Sequence, residues 1–449
     1  MSIDRIHPAT DETLREVVGA LNVINSTLSR GRGGVVYGFR IDSTEADPTA
    51  CVTYIEDARG MSPAFMDYAN GRFVWGDWRD AFFIPRPCML RYDGTVDYYL
   101  DPDDYGKKLD GTASDVANAS YAGNAMMEWG RDGKIIWYKV VPEQVDPTSC
   151  AVYIADHKAD DDYVCWPFVN ASGNVVRHFY TPCYFGSIVN DGTNDVLRSL
   201  SGQLGSTRCK GKNATQERAL AKANNPSGHD IWDIERYGDV ILIELLLTLV
   251  SKSLDSQTAF GQGLHTSGTD AINDAFVSGQ HDARGLFWGT NSGAAATSAN
   301  AVKVFGMENF WGFMWRRMVG LVNVNGTMRY KLTTGKEDGS NASDYVVSNT
   351  GTDYAGYLAG GTLPASSGAY VQKQEWKTDG AHTPTVAAGA SNKNYCDGLW
   401  TNVNAVTFAC RGGGSPDRLL AGVWCLFLNY AASDASWSIG AAPSCKPQS

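Results

Sequence analysis

Leu14, Val17, Leu21, Ile24 and Leu28 recur at 3-4-3-4 spacing, which puts them on one helical stripe, with Asp11 placed to start the helix. Only two heptads are present, Gly19 and Asn25 weaken the helix, and "SRGRGG" (29–34) ends it. The stripe reads equally as a short oligomerising seam or as a helix packed on its own chain. From about Val35 to Pro142 the pattern changes to short apolar runs between turns. "GVVYGFRID", "CVTYIED", "RFVWGDW", "CMLRYDG" and "KIIWYKVV" are the predicted strands. The same texture resumes near Ala151. Residues 231–253 carry the best helical pattern, with Ile234, Val240, Ile241, Leu245 and Leu249 on a wide apolar face, and predict a buried helix. A second helix is predicted over 308–321, with Phe310, Trp311, Phe313 and Trp315 in the core. Beyond Asn323 the chain is rich in Gly, Ala, Ser and Thr, and reads as long ordered loops around short strands.

Near the end, "AGVWCLFLNY" (421–430) alternates as a strand. Trp424, Leu426 and Leu428 form one row, and Val423, Cys425, Phe427 and Asn429 the other. With the leucines inward, Phe427 lies on an outer face, as expected of a binding surface. The alternative is a strand buried on both sides.

Composition narrows the function classes. Forty-three per cent of the 449 residues are hydrophobic and 19% charged, which suits a globular chain with a large core. The net charge of -11 disfavours nucleic-acid binding by phosphate neutralisation. The longest apolar run, "VILIELLLTLV", is too short to span a bilayer and contains Glu244, so no membrane insertion is expected, and the polar start reads as no secretory signal. The ten cysteines form no CxxC pair and read as small buried thiols rather than a zinc site. Asp101, Asp103 and Asp104 lack the spacing of a Ca²⁺ loop and read as a solvated acidic turn. Glu235 and Asp239, four apart, read as a solvated helix edge. The histidines fall in no metal-ligand pattern, and no nucleophile elbow, phosphate loop or dinucleotide fingerprint occurs. After His382 there is no further histidine, so the tail lacks the usual base of acid–base catalysis but is rich in aromatic, Gly, Ser and Asn residues suited to binding. No catalytic residue, metal or cofactor is expected.

The tail resembles the variable region of proteins diversified by diversity-generating retroelements. The residues that carry the resemblance are "CDGLWTN" (396–402), "RGGGS" (411–415), "AGVWCLFLNYAAS" (421–433) and "WSIGAAPSCKP" (437–447). In that family a fixed frame, RGG…AGxFxLxLxxAxSxxxWxIGAA, is punctuated by slots that adenine-specific mutagenesis of an AAC codon diversifies. Laid on the frame, the slots are Val403, Phe408, Gly414, Pro416, Asp417, Leu419, Phe427, Tyr430, Asp434, Ser436 and Ser438. Trp424 departs from the frame's Phe and its codon is not reachable from AAC; it joins the expected binding residues for its size and position alone. Arg411, Gly412, Gly413, Trp437, Ile439 and Gly440 stand as in the frame. Upstream, "FYTPCYFGS", "RSLSGQ", "WDIERYGDVILIELLLTLVSKSLDSQTAFGQG" and "VKVFGMENFWG" look like the C-type lectin framework of phage tail-fibre members.

The resemblance implies an α+β protein. The resemblance covers about Ala151 to Ser449, and residues 1–140 carry no strong family resemblance and are read from their own pattern. The expected parts are an N-terminal helix with a possible trimerisation role (1–34), a β-rich attachment or spacer domain (35–145), and a C-type lectin domain of the formylglycine-generating-enzyme-like variant (146–449). The variable region falls at about 396–445. It implies a phage receptor-binding protein of the tropism-determinant type: a homotrimer at the tail-fibre tip of the virion, made in the bacterial cytoplasm. Its partners would be a host-surface protein or glycan and other tail proteins. The competing readings are a host-encoded, surface-displayed variable protein and, further off, an enzyme of the formylglycine-generating type.

Overall fold

The computed structural model describes residues 33–264, 268–291, 297–333, 342–347 and 356–448. The heptad stripe of Leu14–Leu28, and with it the trimerisation expectation for 1–34, lies outside them.

Strands dominate, with few helices, and three sheets organise them. In the first, Val36–Ile41 pairs with Val52–Glu56 on one side and Cys150–Ala155 on the other, and Trp137–Pro142 completes four antiparallel strands. The second has seven strands, in the order Trp232–Ile234, Pro443–Cys445, Phe179–Pro182, Gly123–Trp129, Arg86–Arg91, Val96–Asp101 and Asp104–Lys108. The third runs Leu358–Thr362, Thr327–Tyr330, Trp315–Val324, Val406–Arg411, Leu426–Tyr430, Gly398–Thr401, Ser366–Tyr370, and Ile439–Gly440 pairs in parallel with Trp315–Arg316. The strands expected before Pro142 all form. Asp101, Asp103 and Asp104 sit at the tight turn between two of them, where Asp101 accepts the Asp103 N–H at 2.9 Å and Asp104 pairs with Lys107.

The boundary expected near residue 145 does not divide the described residues. Cys150–Ala155 completes the first sheet, and the second joins strands from 86–129 to strands from 179, 232 and 443 onward. One core cluster likewise runs from Phe39 to Leu428. The reason is the central helix, Tyr237–Ser251, all fifteen residues of which are buried. Tyr54 donates to Leu249 O at 2.6 Å and Ala64 N to Val250 O at 2.7 Å, while Tyr237 exchanges hydrogen bonds with the His382 backbone. Each of its leucines contributes about 1.5–3 kcal/mol of burial, and both halves of the chain supply the walls.

Two expected helices change. Residues 231–236 are not helical: Trp232–Ile234 is a strand paired with Pro443–Cys445, and the helix begins at Tyr237. Residues 308–321 are not a helix. Trp315–Val324 is a strand with all ten residues buried, because it lies inside a sheet covered on both faces. A short apolar run buried all round has no polar face, so its periodicity does not separate strand from helix. The solvated edge expected at Glu235 and Asp239 is also wrong. Both side chains are buried; Glu235 precedes the helix and accepts from Arg316 at 3.1 Å and from Arg411 at 2.8 Å, and Asp239 lies 2.9 Å from Lys446 Nζ.

Candidate functional site

The tail's frame residues build a rigid floor. Arg411 is buried, stacks 3.8 Å over the Phe310 ring, donates to Phe310 O at 2.9 Å and shares Glu235 with Arg316. Removing one member would leave a buried charge unpaired. Gly412 and Gly413 take left-handed backbone, φ +83° and +74°, which favours glycine. A Cβ on Gly413 would lie 2.7 Å from Ala421 Cα, and one on Gly440 2.7 Å from the Phe185 ring. Asp397, buried beside Gly422, accepts the Trp424 N–H at 2.8 Å and fixes the turn into the Leu426–Tyr430 strand.

The strand is shorter than expected, Leu426–Tyr430, and buried on both faces along its first three residues, which is the alternative reading; Val423, expected in the Phe427 row, joins the main core. Trp424, Leu426 and Leu428 belong to the main core, and Cys425 and Phe427 to a separate cluster on the other face. This second cluster holds Trp315, Cys410 and Ile439, with Trp400 and Tyr430 partly buried at its margin. The Phe427 ring centroid lies 4.9 Å from that of Trp315, 6.2 Å from Trp400 and 4.7 Å from Tyr430. Trp400 stands beside Phe427 because their strands pair in parallel at that register.

Of the expected slots, Gly414, Phe427, Tyr430 and Ser438 meet this aromatic cluster, and the others lie elsewhere in the tail. Tyr430 is half-buried against Phe427, and Gly414 abuts Trp315. Ser438 accepts the Trp315 N–H at 2.9 Å through its carbonyl, and its hydroxyl meets that of Ser436 at 3.0 Å. Pro416, Asp417 and the exposed Leu419 lie on the 3-10 segment Ser415–Leu420. Asp417 accepts the Gly414 N–H at 2.6 Å, yet burial pushes its carboxyl up to about 6. Asp434 is exposed and accepts the Ala431 N–H at 2.8 Å. Val403 occupies the turn after Gly398–Thr401, against Gly326.

Four of the expected binding residues, Phe408, Gly414, Trp424 and Phe427, are buried rather than on the surface. Trp424 is 3% exposed and makes edge contacts with Trp376, His382 and Tyr395, as its row of the alternation requires. Phe408 is 1% exposed. Pairing on both sides of its strand shifts register between residues 408 and 410, and this bulge turns Phe408 into a cluster with Val322, Val324 and Ala432 while Cys410 joins the aromatic side. Phe427, at 8%, is largely roofed by Trp315, Trp400 and Tyr430 rather than lying open.

Sequence reasoning missed Trp315 and Trp400. Trp315 fell in the region read as helix. Trp400 had a usable signal, since Gly398–Thr401 alternates and Leu399 is its fully buried neighbour. All ten cysteines are buried and unpaired. Among the described residues no group of three or more His, Cys, Asp or Glu side chains is placed to hold a metal ion, and no helix is long and apolar enough to cross a membrane. Compared with protein-family models and with curated proteins, the chain matches none.

Proposed function

We propose that the chain is a phage receptor-binding protein of the retroelement-diversified kind, with a C-type lectin fold of the formylglycine-generating-enzyme-like variant behind its tail. On this reading it is a homotrimer at the tail-fibre tip, made in the bacterial cytoplasm, that meets a host-surface protein or glycan through its slots. The observation that carries the reading is a contrast among glycines. Gly412 and Gly413, frame positions, have positive φ, and a Cβ on frame Gly440 would collide with a ring. Gly414, a slot one residue on, has φ -91°, and its nearest Cβ contacts would be 3.3 Å. At these positions the backbone favours glycine in the frame and takes a side chain at the slot with a small shift of Pro416 or Asp417, which supports the reading, whereas the buried slots Phe408 and Phe427 do not.

The depth of the slots supports the same division. Val403, Pro416, Asp417, Leu419, Tyr430, Asp434, Ser436 and Ser438 are exposed or half-buried, and at the exposed Leu419 and Asp434 substitutions usually cost within about 0.5 kcal/mol. Trp424, whose codon AAC does not reach, belongs with the frame. An enzymatic reading on the same fold finds no support in the thiols of the tail. Burial pushes Cys410 up to about 12 and Cys425 well above its usual value, the reverse of an activated nucleophile.

Sequencing the DNA beside the gene tests the proposal. It predicts a reverse transcriptase and a near-copy of the tail's coding region that differs from it only at adenines. A near-copy differing equally at all bases would overturn it.

A further inference from the structure

A cleft of about 750 Å³, lined by none of the tail's slots, opens between the turn that follows Arg72–Val74, the Arg86–Arg91 and Val96–Asp101 hairpin, and the loop at 283–288. Its size is in the range of small-ligand sites, about 300–1,000 Å³. Its base is apolar and fixed: Ile84, Leu100, Leu286 and Phe287 line it and belong to the main core. Its walls are guanidinium groups and flat rings. Arg86 lies 4.4 Å over the Tyr99 ring while bonded to Glu128 at 2.7 Å, and Arg284 lies 4.3 Å over Trp288.

The arginines divide into two kinds. Arg72, Arg86 and Arg131 are committed to Asp67, Glu128 and Asp132. Arg79 and Arg284 have no carboxylate partner among the described residues. A stacked guanidinium keeps its N–H edge fixed for bidentate contact with a carboxylate or phosphate. Exposed Asp80 and Asp103 on the same walls are acceptors suited to hydroxyl groups.

We propose that this cleft binds a saccharide carrying a carboxylate or phosphate group. Sugar C–H faces pack on Tyr99 and Trp288, the acidic group meets Arg79 and Arg284, and the hydroxyls meet Asp80 and Asp103. A polynucleotide fits less well. The chain's net charge of -11 repels a long polyanion, and the site is a compact cleft rather than a groove that tracks a backbone.

The test is calorimetric titration of the full chain with tri-galacturonic acid, glucose 6-phosphate, maltotriose and the oligonucleotide dT5. At least one acidic saccharide binds with a Kd below about 1 mM and at least tenfold tighter than maltotriose. The double variant Arg79→Ala/Arg284→Ala weakens it at least tenfold with the melting temperature retained, and Tyr430→Ala leaves it unchanged, which separates this site from the tail. No binding of either acidic saccharide would overturn the proposal. So would equal binding of maltotriose, tighter binding of dT5, or an unaltered Kd in the double variant. Whether tri-galacturonic acid or glucose 6-phosphate binds tighter names the acidic group.

Discussion

Gly413 and Gly414 are adjacent, yet the chain treats them oppositely. Gly413 sits at φ +74° against Ala421, whereas Gly414 is extended at φ -91°. Gly413→Ala is expected to cost about 2 kcal/mol or more, from left-handed strain and the contact with Ala421 together. Gly414→Ala should stay within about 1 kcal/mol. Urea unfolding of the two variants measures the difference. Asp417 gives a pH signature at the same place. Its folded carboxyl is raised to about 6 from an ordinary value of 3.8 by burial. The folded state therefore holds the proton more tightly, and the stability linked to Asp417 is full below about pH 4 and lost as pH rises through 6. Thermal melts between pH 4 and 7 should show this fall in the parent chain and a flatter profile in Asp417→Asn. Little of this was legible from the residues alone. The "RGGGS" string marks the glycines but not which of them is left-handed, and nothing near Asp417 in sequence announces that its carboxyl is buried.

At the scale of elements, short alternating strands were readable because they have one wet face. Val36–Ile41, Val52–Glu56 and Trp137–Pro142 keep wetter positions between buried ones, whereas Arg86–Arg91 and Leu426–Tyr430 are buried on both faces along most of their length. The elements that misled were buried all round. Trp315–Val324 carries ten buried residues, and its aromatics look alike under either period. Phe408 was misplaced for a different reason: a register shift between two neighbouring strands depends on long-range pairing that no local pattern encodes. Leu428, fully buried in the central part of the third sheet, separates support from display. Leu428→Ala should lose about 2–5 kcal/mol in denaturant unfolding, from lost burial and the cavity left behind. Two residues on, half-buried Tyr430→Ala should lose about 1 kcal/mol or less, so similar losses at both positions would contradict the division between support and display.

Across the described residues, the second sheet and the central helix bind residues 33–145 to the rest. The Phe179–Pro182 strand takes its partner from Gly123–Trp129, and the helix is roofed partly by Tyr54 and Ala64. Residues 146–449 expressed alone are therefore expected to show no cooperative thermal transition by circular dichroism, whereas a sharp melt like that of the full chain would reveal an independent domain. The boundary near residue 145 was drawn where the resemblance begins, not from a change of texture; that strands on either side of it share a sheet was not legible, because strand order is set by contacts far apart in the chain. The interlocked body has a consequence for the tail. Arg411, Glu235 and Arg316 hold the tail to the core through buried ion pairs, so that, on the proposed reading, exposed slots change without moving the backbone. The measurement that tests this account most directly is adsorption to host bacteria of the parent chain beside a variant with Leu419, Tyr430 and Asp434 all replaced by Ala, each with its melting temperature. The account predicts that the variant melts within a few degrees of the parent and loses adsorption at least tenfold. Retained adsorption at an unchanged melting temperature would contradict it.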